Sequence, residues 1–358
     1  MERREYWYWL CTIPGTGSVT INRLLEQFGD VETLFHIDEK YLTEKLFSSN
    51  SARRNFLESR NPVTAARAFA ELDKRNIHFI HIEDSRFPEK LKHIYDCPKG
   101  LFFTGVLPDM NKPSLAVVGA RNCTSYGRET AKYFSRVLSN AGVQIISGLA
   151  RGIDRYAHLG ALEGYEKTFG VLGCGANICY PPENIDLYME IKDQGGIITE
   201  YNLNVHPASA HFPMRNRIIS GLSDGVLVIE AKSRSGSLIT AELGLEQGRD
   251  IFALPGRRMD TFSEGCNNLI KAGAVMVTEP EDILDFYNIP GKENINSEIL
   301  LDKYENLVYA SLCLDPKNVE KLSEETGLDS VTLIRKLVSL ELQGLIKQVA
   351  KNQYIKKI

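Results

Sequence analysis

The sequence predicts an α/β protein built around a Rossmann-like, doubly wound parallel sheet. Short, continuous runs of Val, Ile and Leu recur between residues 112 and 288, and segments of helical length separate them. Such runs are typical of strands that are buried on both faces of a parallel sheet. Their alternation with helical segments indicates βαβ units, whose helices cover both faces of the sheet.

Seven apolar runs are predicted as the strands of this sheet. They lie at 115–118, 143–146, 168–172, 197–199, 225–229, 251–254 and 274–277. Helices are predicted between them, for example at 128–140 and 238–247. In an open parallel sheet, ligands bind in the loops beyond the carboxyl ends of the strands. We therefore sought functional residues directly after each run.

Two regions flank the predicted sheet domain, which spans residues 109–288. Residues 1–108 are predicted to be mostly helical, and residues 297–358 to form three helices and a short β-hairpin, after a Pro- and Gly-containing linker at 288–294. The N-terminal region looks like a helix-hairpin-helix or sterile-alpha-motif module, which either presents N–H groups to a DNA phosphate or only packs. The C-terminal region resembles a winged helix, for which duplex DNA and a protein partner both remain open.

The amino-acid composition is that of a globular protein and argues against a membrane-spanning or secreted one. Hydrophobic residues make up 43% and charged residues 25%, which is ordinary for globular domains. The formal net charge of −4 counts mildly against a nucleic-acid binder, although a local basic patch can bind phosphate on an acidic protein. The chain has no long apolar run and no signal-peptide pattern, so we expect a cytoplasmic protein without a membrane span. Its seven cysteines lack paired C-x-x-C spacing, and we expect neither a metal site nor a cofactor.

The first predicted strand is followed by a loop that suits an anion. Gly119, Ala120 and Arg121 leave the strand, and Tyr126 and Gly127 open the next helix. Glycine permits close approach of a backbone, the helix N-terminus offers unpaired N–H groups, and arginine can add bidentate phosphate contacts. A plain glycine turn before a helix is the alternative.

The second predicted strand is followed by small residues and one arginine. Ser147, Gly148 and Arg151 are the candidates for a close backbone approach to phosphate. Asp154 and His158 lie four residues apart on the next helix, which suits a metal or acid–base pair. The simpler interpretation is an aspartate near a helix N-terminus and a packed or exposed histidine.

The third loop gives a weaker signal. It begins with Gly173 and Gly175 like a dinucleotide-binding turn, but Ile178 stands where the third glycine belongs. Tyr180 follows, and it either stacks on a base or anchors the loop.

Two cationic segments carry the strongest signals. They are Arg215-Asn216-Arg217 at the start of one helix, and Lys232 with Ser235-Gly236-Ser237 at the start of another. The polar ends of Arg215 and Arg217 are expected at a helix N-terminus on the carboxyl edge of the sheet, where guanidinium groups suit phosphate; a surface helix with salt bridges is the alternative. Arg121 and Arg217 are expected outside the core. Serine hydroxyls and backbone N–H groups can form an anion cradle. No nucleophile–base pair, nucleophile elbow or carboxylate cluster accompanies these residues, so the pattern predicts a phosphate-binding surface and no catalytic residues.

These motifs together resemble the DprA/Smf family (DNA-processing protein A). The resemblance covers residues 85–285 and rests on Gly119-Ala120-Arg121 with Tyr126-Gly127, Ser147-Gly148 with Gly152-Ile153-Asp154 and Ala157-His158, Tyr180-Pro181 with Asn184, Phe212-Pro213 with Arg215-Asn216-Arg217-Ile218-Ile219, Ser235-Gly236-Ser237-Leu238-Ile239-Thr240-Ala241, and Gly265 with Asn267, Leu269, Ile270 and Gly273. It implies an extended Rossmann fold that binds single-stranded DNA, protects incoming DNA and loads the RecA recombinase in natural transformation. It also implies a homodimer.

The sequence departs from this family's pattern in two loops. Asn177 stands where the family often has Asp, and Tyr201 to Asn204 follow Thr199-Glu200 where Pro-Gly is usual. An enzyme of the phosphoribohydrolase type, which hydrolyses nucleotides on a similar core, is the alternative function. Its P-G-G-x-G-T-x-x-E motif is matched only loosely by residues 235–242, which lack the double glycine.

Overall fold

A nine-stranded sheet forms the centre of the molecule in the computed structural model, which describes residues 1–290 and 301–357. Residues 291–294 of the predicted linker lie outside the described residues. The strands are β1 (His78–His81), β2 (Gly100–Gly105), β3 (Ser114–Val118), β4 (Gln144–Ser147), β5 (Thr168–Val171), β6 (Gly196–Thr199), β7 (Gly225–Val228), β8 (Asp250–Ala253) and β9 (Val275–Met276). The seven predicted strands are thereby confirmed, each to within one residue at either end.

The strand order is β1-β2-β6-β5-β4-β3-β7-β8-β9. Strands β4, β5 and β6 follow one another on one side of β3, and β7, β8 and β9 follow one another on its other side. The strand order therefore reverses between β3 and β7. These seven strands are parallel, and β3 pairs with both β4 and β7. This is a doubly wound, Rossmann-like sheet with its switch point between β3 and β7.

Two strands extend the sheet from a region predicted to be mostly helical. Strand β2 pairs antiparallel with β6, and β1 pairs antiparallel with β2. The prediction for residues 1–108 is therefore wrong at its C-terminal end. The runs that form these strands are short and show no strong period, and pairing with β6 provides the backbone partners that make them strands.

Helices cover both faces of the parallel sheet. On β3, Leu115 and Val117 point to one face, and Ala116 and Val118 point to the other. The helices are α6 (Glu89–Lys92), α7 (Ser125–Asn140), α8 (Ile153–Leu162), α9 (Ile185–Gln194), α10 (His211–Gly221), α11 (Gly236–Glu246), α12 (Glu264–Lys271) and α13 (Pro280–Phe286), with a 3₁₀ turn at Pro182–Asn184. Residues of α7, α8 and α13 pack on the first face, and residues of α6, α10, α11 and α12 pack on the second.

An N-terminal group of helices packs beside the antiparallel strands. It consists of α1 (Arg3–Thr12), α2 (Ser18–Phe28), α3 (Val31–His36), α4 (Asn50–Glu58) and α5 (Pro62–Lys74), with 3₁₀ turns at Glu39–Tyr41 and Glu44–Leu46. Trp7 and Trp9 are buried in this group, and their core also includes Phe79 and Phe102 of β1 and β2. The N-terminal helices therefore share apolar contacts with the edge of the sheet. Among the described residues, no helix is both long and apolar enough to cross a membrane.

The C-terminal residues form a separate small core. The elements are α14 (Lys303–Ser311), α15 (Val319–Thr326) and α16 (Ser330–Leu342), with strands β10 (Lys317–Asn318), β11 (Ile346–Ala350) and β12 (Gln353–Lys356). Every member of their hydrophobic cluster lies within this region. Two ion pairs at the surface join it to the rest: Arg257 with Asp315, which are both exposed, and Lys347 with the buried carboxylate of Glu129.

We predict that a chain ending at residue 290 folds with the stability of the full-length sheet. Surface ion pairs contribute at most about 1 kcal/mol each, so losing two of them should change the free energy of unfolding little. Circular dichroism and urea denaturation of the truncated and full-length proteins would measure this. Aggregation of the truncated chain, or a loss well beyond the contribution of two surface pairs, would contradict the prediction.

Candidate nucleic-acid interface

A cleft of about 590 Å³ lies at the carboxyl edge of the parallel sheet, beside the switch point. The residues that line it come from the loops after β3, β4, β5 and β7, from α10 and from the start of α11. Ten of the predicted site residues lie on its wall: Gly119, Ala120, Arg121, Tyr180, Arg215, Asn216, Lys232, Ser235, Gly236 and Ser237. Gly148 and Arg151 line a smaller adjoining pocket together with Arg121 and Tyr180. The structure thus brings together twelve of the predicted residues.

Four predicted residues line neither the cleft nor the adjoining pocket: Tyr126, Gly127, Ser147 and Arg217. Ser147 is fully buried, and its hydroxyl donates to the Val117 carbonyl at 2.6 Å, which ties β4 to β3. Tyr126 is partly exposed on the first turn of α7. Gly127 and Arg217 make contacts inside the protein, with Thr124 and with Asp96 and Glu200 respectively.

An aromatic ring stands at the centre of the cleft. The Phe212 ring stacks with the Tyr180 ring at a centroid distance of 5.6 Å and an interplanar angle of 28°. The Arg121 guanidinium lies 5.2 Å from the centroid of the same ring. The predicted site residues omit Phe212, although its position just before a cationic helix segment was a usable signal. Arg234, which also lines the cleft, was passed over in the same way.

Arg215 is a buried positive charge in the cleft wall. Only 4% of it is exposed, and its Nη1 donates to the Gly148 carbonyl at 2.7 Å and to the Val171 carbonyl. A Cβ on Gly148 would lie 2.6 Å from the guanidinium nitrogens, so glycine lets Arg215 lie against the backbone here. Burial lowers the pKa of Arg215 to about 10, and Asp154 opposes that shift. Arg215 therefore stays charged at neutral pH while it joins the ends of β4 and β5.

Arg217 lies in the core, so the prediction that places it outside the core is wrong. It is 3% exposed; its Nε lies 3.0 Å from Asp96 Oδ2, and its Nη2 donates to Glu200. Arg217 lies two positions after Arg215, which is about 200° around the helix axis, so the two side chains leave α10 on different sides. The helical period thus excludes Arg217 from the cleft that Arg215 lines.

Internal acceptors already occupy two of the N–H groups at the N-terminus of α7, where the sequence suggested an external anion. The buried Glu230 carboxylate follows β7 and accepts from the Thr124 N–H at 2.9 Å and from the Thr124 hydroxyl. The Thr124 hydroxyl in turn accepts from the Gly127 N–H at 3.1 Å, as the N-cap of α7. Burial raises the pKa of Glu230, and the hydrogen bonds from Thr124 oppose the shift. A carboxylate of the chain therefore occupies the position that the sequence suggested for an external anion.

Asp154 and His158 have separate internal partners. Asp154 accepts from the Gly148 N–H at 3.2 Å, and the His158 Nδ1 lies 2.7 Å from the Thr168 hydroxyl. Burial lowers the pKa of His158 to about 3, so the ring is neutral at physiological pH. Within residues 1–290 and 301–357, no group of His, Cys, Asp and Glu is placed to hold a metal ion. The geometry fits the simpler interpretation of a helix-terminal aspartate and a packed histidine.

The N-terminus of α11 remains open to the cleft. Ser235 is its N-cap, and the Ser235 and Ser237 hydroxyls lie 2.8 Å apart. A Cβ on Gly236 would meet nothing within 4 Å, so the turn faces open space. Lys232 stands beside it with its ammonium 4.7 Å from the Phe262 ring centroid. This turn combines the exposed Gly236 N–H with hydroxyls and cations, which are the donors that bind phosphate.

Three exposed cations surround the open turn: Arg121, Lys232 and Arg234. In the part of the chain that the structure describes, no ion pair within 4.0 Å involves any of them, whereas Arg151 pairs with Glu183. With Arg215 they make the cleft wall cationic on a chain whose formal net charge is −4. The charge expected of a phosphate site is therefore local to this cleft.

The chain is similar to a family of known proteins. Residues 78–288 match the family model described as DNA recombination-mediator protein A. Protein Smf from Escherichia coli is 38% identical over 332 residues, which cover 88% of this chain and 86% of that protein.

Two solved structures are also similar. One is DNA processing protein A (DprA) from Streptococcus pneumoniae, with a TM-score of 0.70 and 36% identity, covering 80% of this chain and 98% of the other. The second is DNA processing protein A from Helicobacter pylori, whose structural study concerns its single-stranded DNA binding mode. It matches with a TM-score of 0.54 and 29% identity, covering 59% of this chain and 96% of the other.

We predict that Arg217→Ala destabilises the fold whereas Arg121→Ala does not. Removing Arg217 leaves Asp96 and Glu200 without their cation, and the loss of one partner from a buried ion pair costs about 3 kcal/mol or more. Arg121 is exposed, and such substitutions usually change stability by less than about 0.5 kcal/mol. Urea denaturation of both variants beside the wild type would test this. Equal stability of the Arg217→Ala variant and the wild type would contradict the assignment of Arg217 to the core.

Proposed function

The chain belongs to the DprA/Smf family, and on that premise we propose that it binds single-stranded DNA along the cleft at the carboxyl edge of its sheet. One observation carries the proposal: Arg121, Phe212 and Lys232 line the same cleft as the open N-terminus of α11. The similar protein from Helicobacter pylori was studied for its binding of single-stranded DNA, which supports the same ligand here.

The phosphate part of the proposal rests on the open turn at α11. Phosphate oxygens accept from the Gly236 N–H and from the serine hydroxyls, while Lys232 and Arg234 supply charge. These donors contact the backbone of a nucleic acid and carry no base preference. Binding should therefore depend little on sequence.

The base part of the proposal rests on Phe212 and Tyr180. Bases of a single strand can stack on aromatic rings because they are not paired, whereas a duplex hides their faces. Tyr180 is 39% exposed and covers one face of Phe212, so a base can stack on the outer face of Tyr180 or displace it. A preference for single strands over duplex follows from this arrangement.

Further parts of the proposal rest on family membership. We propose that the protein acts in DNA processing during natural transformation, protects incoming DNA and loads the RecA recombinase onto it. We also propose that it works as a homodimer in the cytoplasm. A strand-exchange assay with RecA, with the DNA precoated by a single-strand-binding protein, would test the loading step. Sedimentation would test the dimer.

The two terminal regions resemble known small domains. We propose that residues 1–108 include a helix-hairpin-helix or sterile-alpha-motif-like module and that residues 297–358 are winged-helix-like. On α16 the exposed side chains include Val331, Ile334 and Val338, which favours a protein contact over base readout by this helix. Deleting the C-terminal region should therefore leave single-strand binding intact.

We predict that Arg121→Ala and Lys232→Ala each weaken binding of a short oligonucleotide at least several-fold. Each lost phosphate contact should also make the dependence of log affinity on log salt shallower by about 0.7. Fluorescence anisotropy across a salt series would measure both quantities. Lys167→Ala is the matched control, because Lys167 is exposed directly before β5, at the opposite edge of the sheet. Unchanged affinity in both cleft variants, or equal affinity for blunt duplex, would refute the proposal.

We also propose that the protein is not an enzyme, and we predict that it releases no base from nucleoside monophosphates. The loop at 235–242 lacks the double glycine of phosphoribohydrolases, and its Glu242 is an exposed residue of α11. Chromatography of incubated nucleotides would detect a free base. Base release that Glu242→Gln abolishes would favour the enzyme alternative.

A further inference from the structure

The switch point of this sheet carries an internal anion. In doubly wound sheets the first strand–helix turn at the switch point receives the phosphates of a nucleotide on the helix N-terminus. Here that turn lies between β3 and α7. The Glu230 carboxylate stands at its helix N-terminus, because β7 pairs with β3 and the Ala120 N–H donates to the Glu230 carbonyl at 2.8 Å.

The contacts of Glu230 use the donors that a phosphate would need. The Thr124 N–H and the Thr124 hydroxyl donate to its carboxylate, and the same hydroxyl accepts from the Gly127 N–H at 3.1 Å. A Cβ at residue 127 would lie 2.4 Å from Glu230 Oε2, so the glycine makes room for this carboxylate. Glu230 is only 4% exposed, so its carboxylate lies inside the turn.

We infer that Glu230 is a specificity-determining residue whose carboxylate excludes the phosphate of free nucleotides and dinucleotide cofactors from the switch point. The inference builds on the proposed function, because a ligand that cannot use the α7 turn must bind at the α11 turn and along the cleft. A polynucleotide can do so through several phosphates, whereas a mononucleotide has lost its principal anchor. Glu230 thereby favours a polynucleotide over a mononucleotide, although its side chain does not contact the bound ligand.

The test replaces Glu230 and titrates the full-length chain with inorganic phosphate at constant ionic strength. Glu230→Ala frees the Thr124 N–H, the Thr124 hydroxyl and the space, so isothermal titration should show phosphate binding at least tenfold tighter than in the wild type. Glu230→Gln keeps the volume but removes the charge, and its amide can swing aside, so a smaller gain is expected. Glu129→Ala is the matched control, because Glu129 is a buried carboxylate on α7 that pairs with Lys347 instead of the helix N-terminus.

Two results would overturn the inference. The first is a pair of folded Glu230 variants, checked by circular dichroism, that bind phosphate no better than the wild type. The second is an equal gain in Glu129→Ala, which would mean that loss of any negative charge suffices. The phosphate titration contains no DNA, so its outcome is separate from the proposed function. Failure of the wild type to bind an oligonucleotide would refute that function alone.

Discussion

The parallel pairing of β3 with β7 is the contact on which the arrangement of the site depends. Four consecutive residues pair in register, from Leu115 with Gly225 to Val118 with Val228. Because the strands are parallel, both chains leave the sheet at the same edge, and residues more than a hundred positions apart emerge side by side. Arg121 follows one strand and Lys232 follows the other. Without this pairing neither the cleft nor its concentration of charge would exist.

At this edge of the sheet two negative charges are buried, and several positive charges are exposed. The buried carboxylates of Glu230 and Asp154 bind N–H groups of the chain in the first two strand–helix turns. The exposed cations Arg121 and Lys232 face the cleft, where no carboxylate pairs with them in the described part of the chain. Buried charges need fixed partners, whereas exposed ones can exchange water for a ligand. The arrangement stabilises two turns internally and leaves the third, at α11, available for binding.

The two arginines of α10 illustrate the same division. Arg215 reaches the ends of β4 and β5 and lines the cleft, whereas Arg217 joins Asp96 and Glu200 in the core. Both are buried and charged, and both help to hold α10 against its neighbours. In the sequence, Arg215-Asn216-Arg217 resembles a patch of surface cations. In the structure, both arginines make internal contacts that hold α10 in place, and they thereby position Phe212, Asn216 and the cleft wall.

The sequence by itself determined the doubly wound sheet, the position of its strands and the edge at which the site lies. Continuous apolar runs are a local signal of strands buried on both faces, and parallel strands necessarily gather their following loops at one edge. Twelve predicted site residues line the cleft or its adjoining pocket for this reason.

Only the tertiary structure decided which donors at that edge remain free. Glu230 fills the N-terminus of α7 although it is 106 residues from Thr124, and Arg217 pairs with Asp96 from a different part of the chain. The strands β1 and β2 likewise depend on pairing that begins at β6. Hydrogen bonds and ion pairs between distant residues leave no local pattern, because they arise only when the folded sheet brings those residues together.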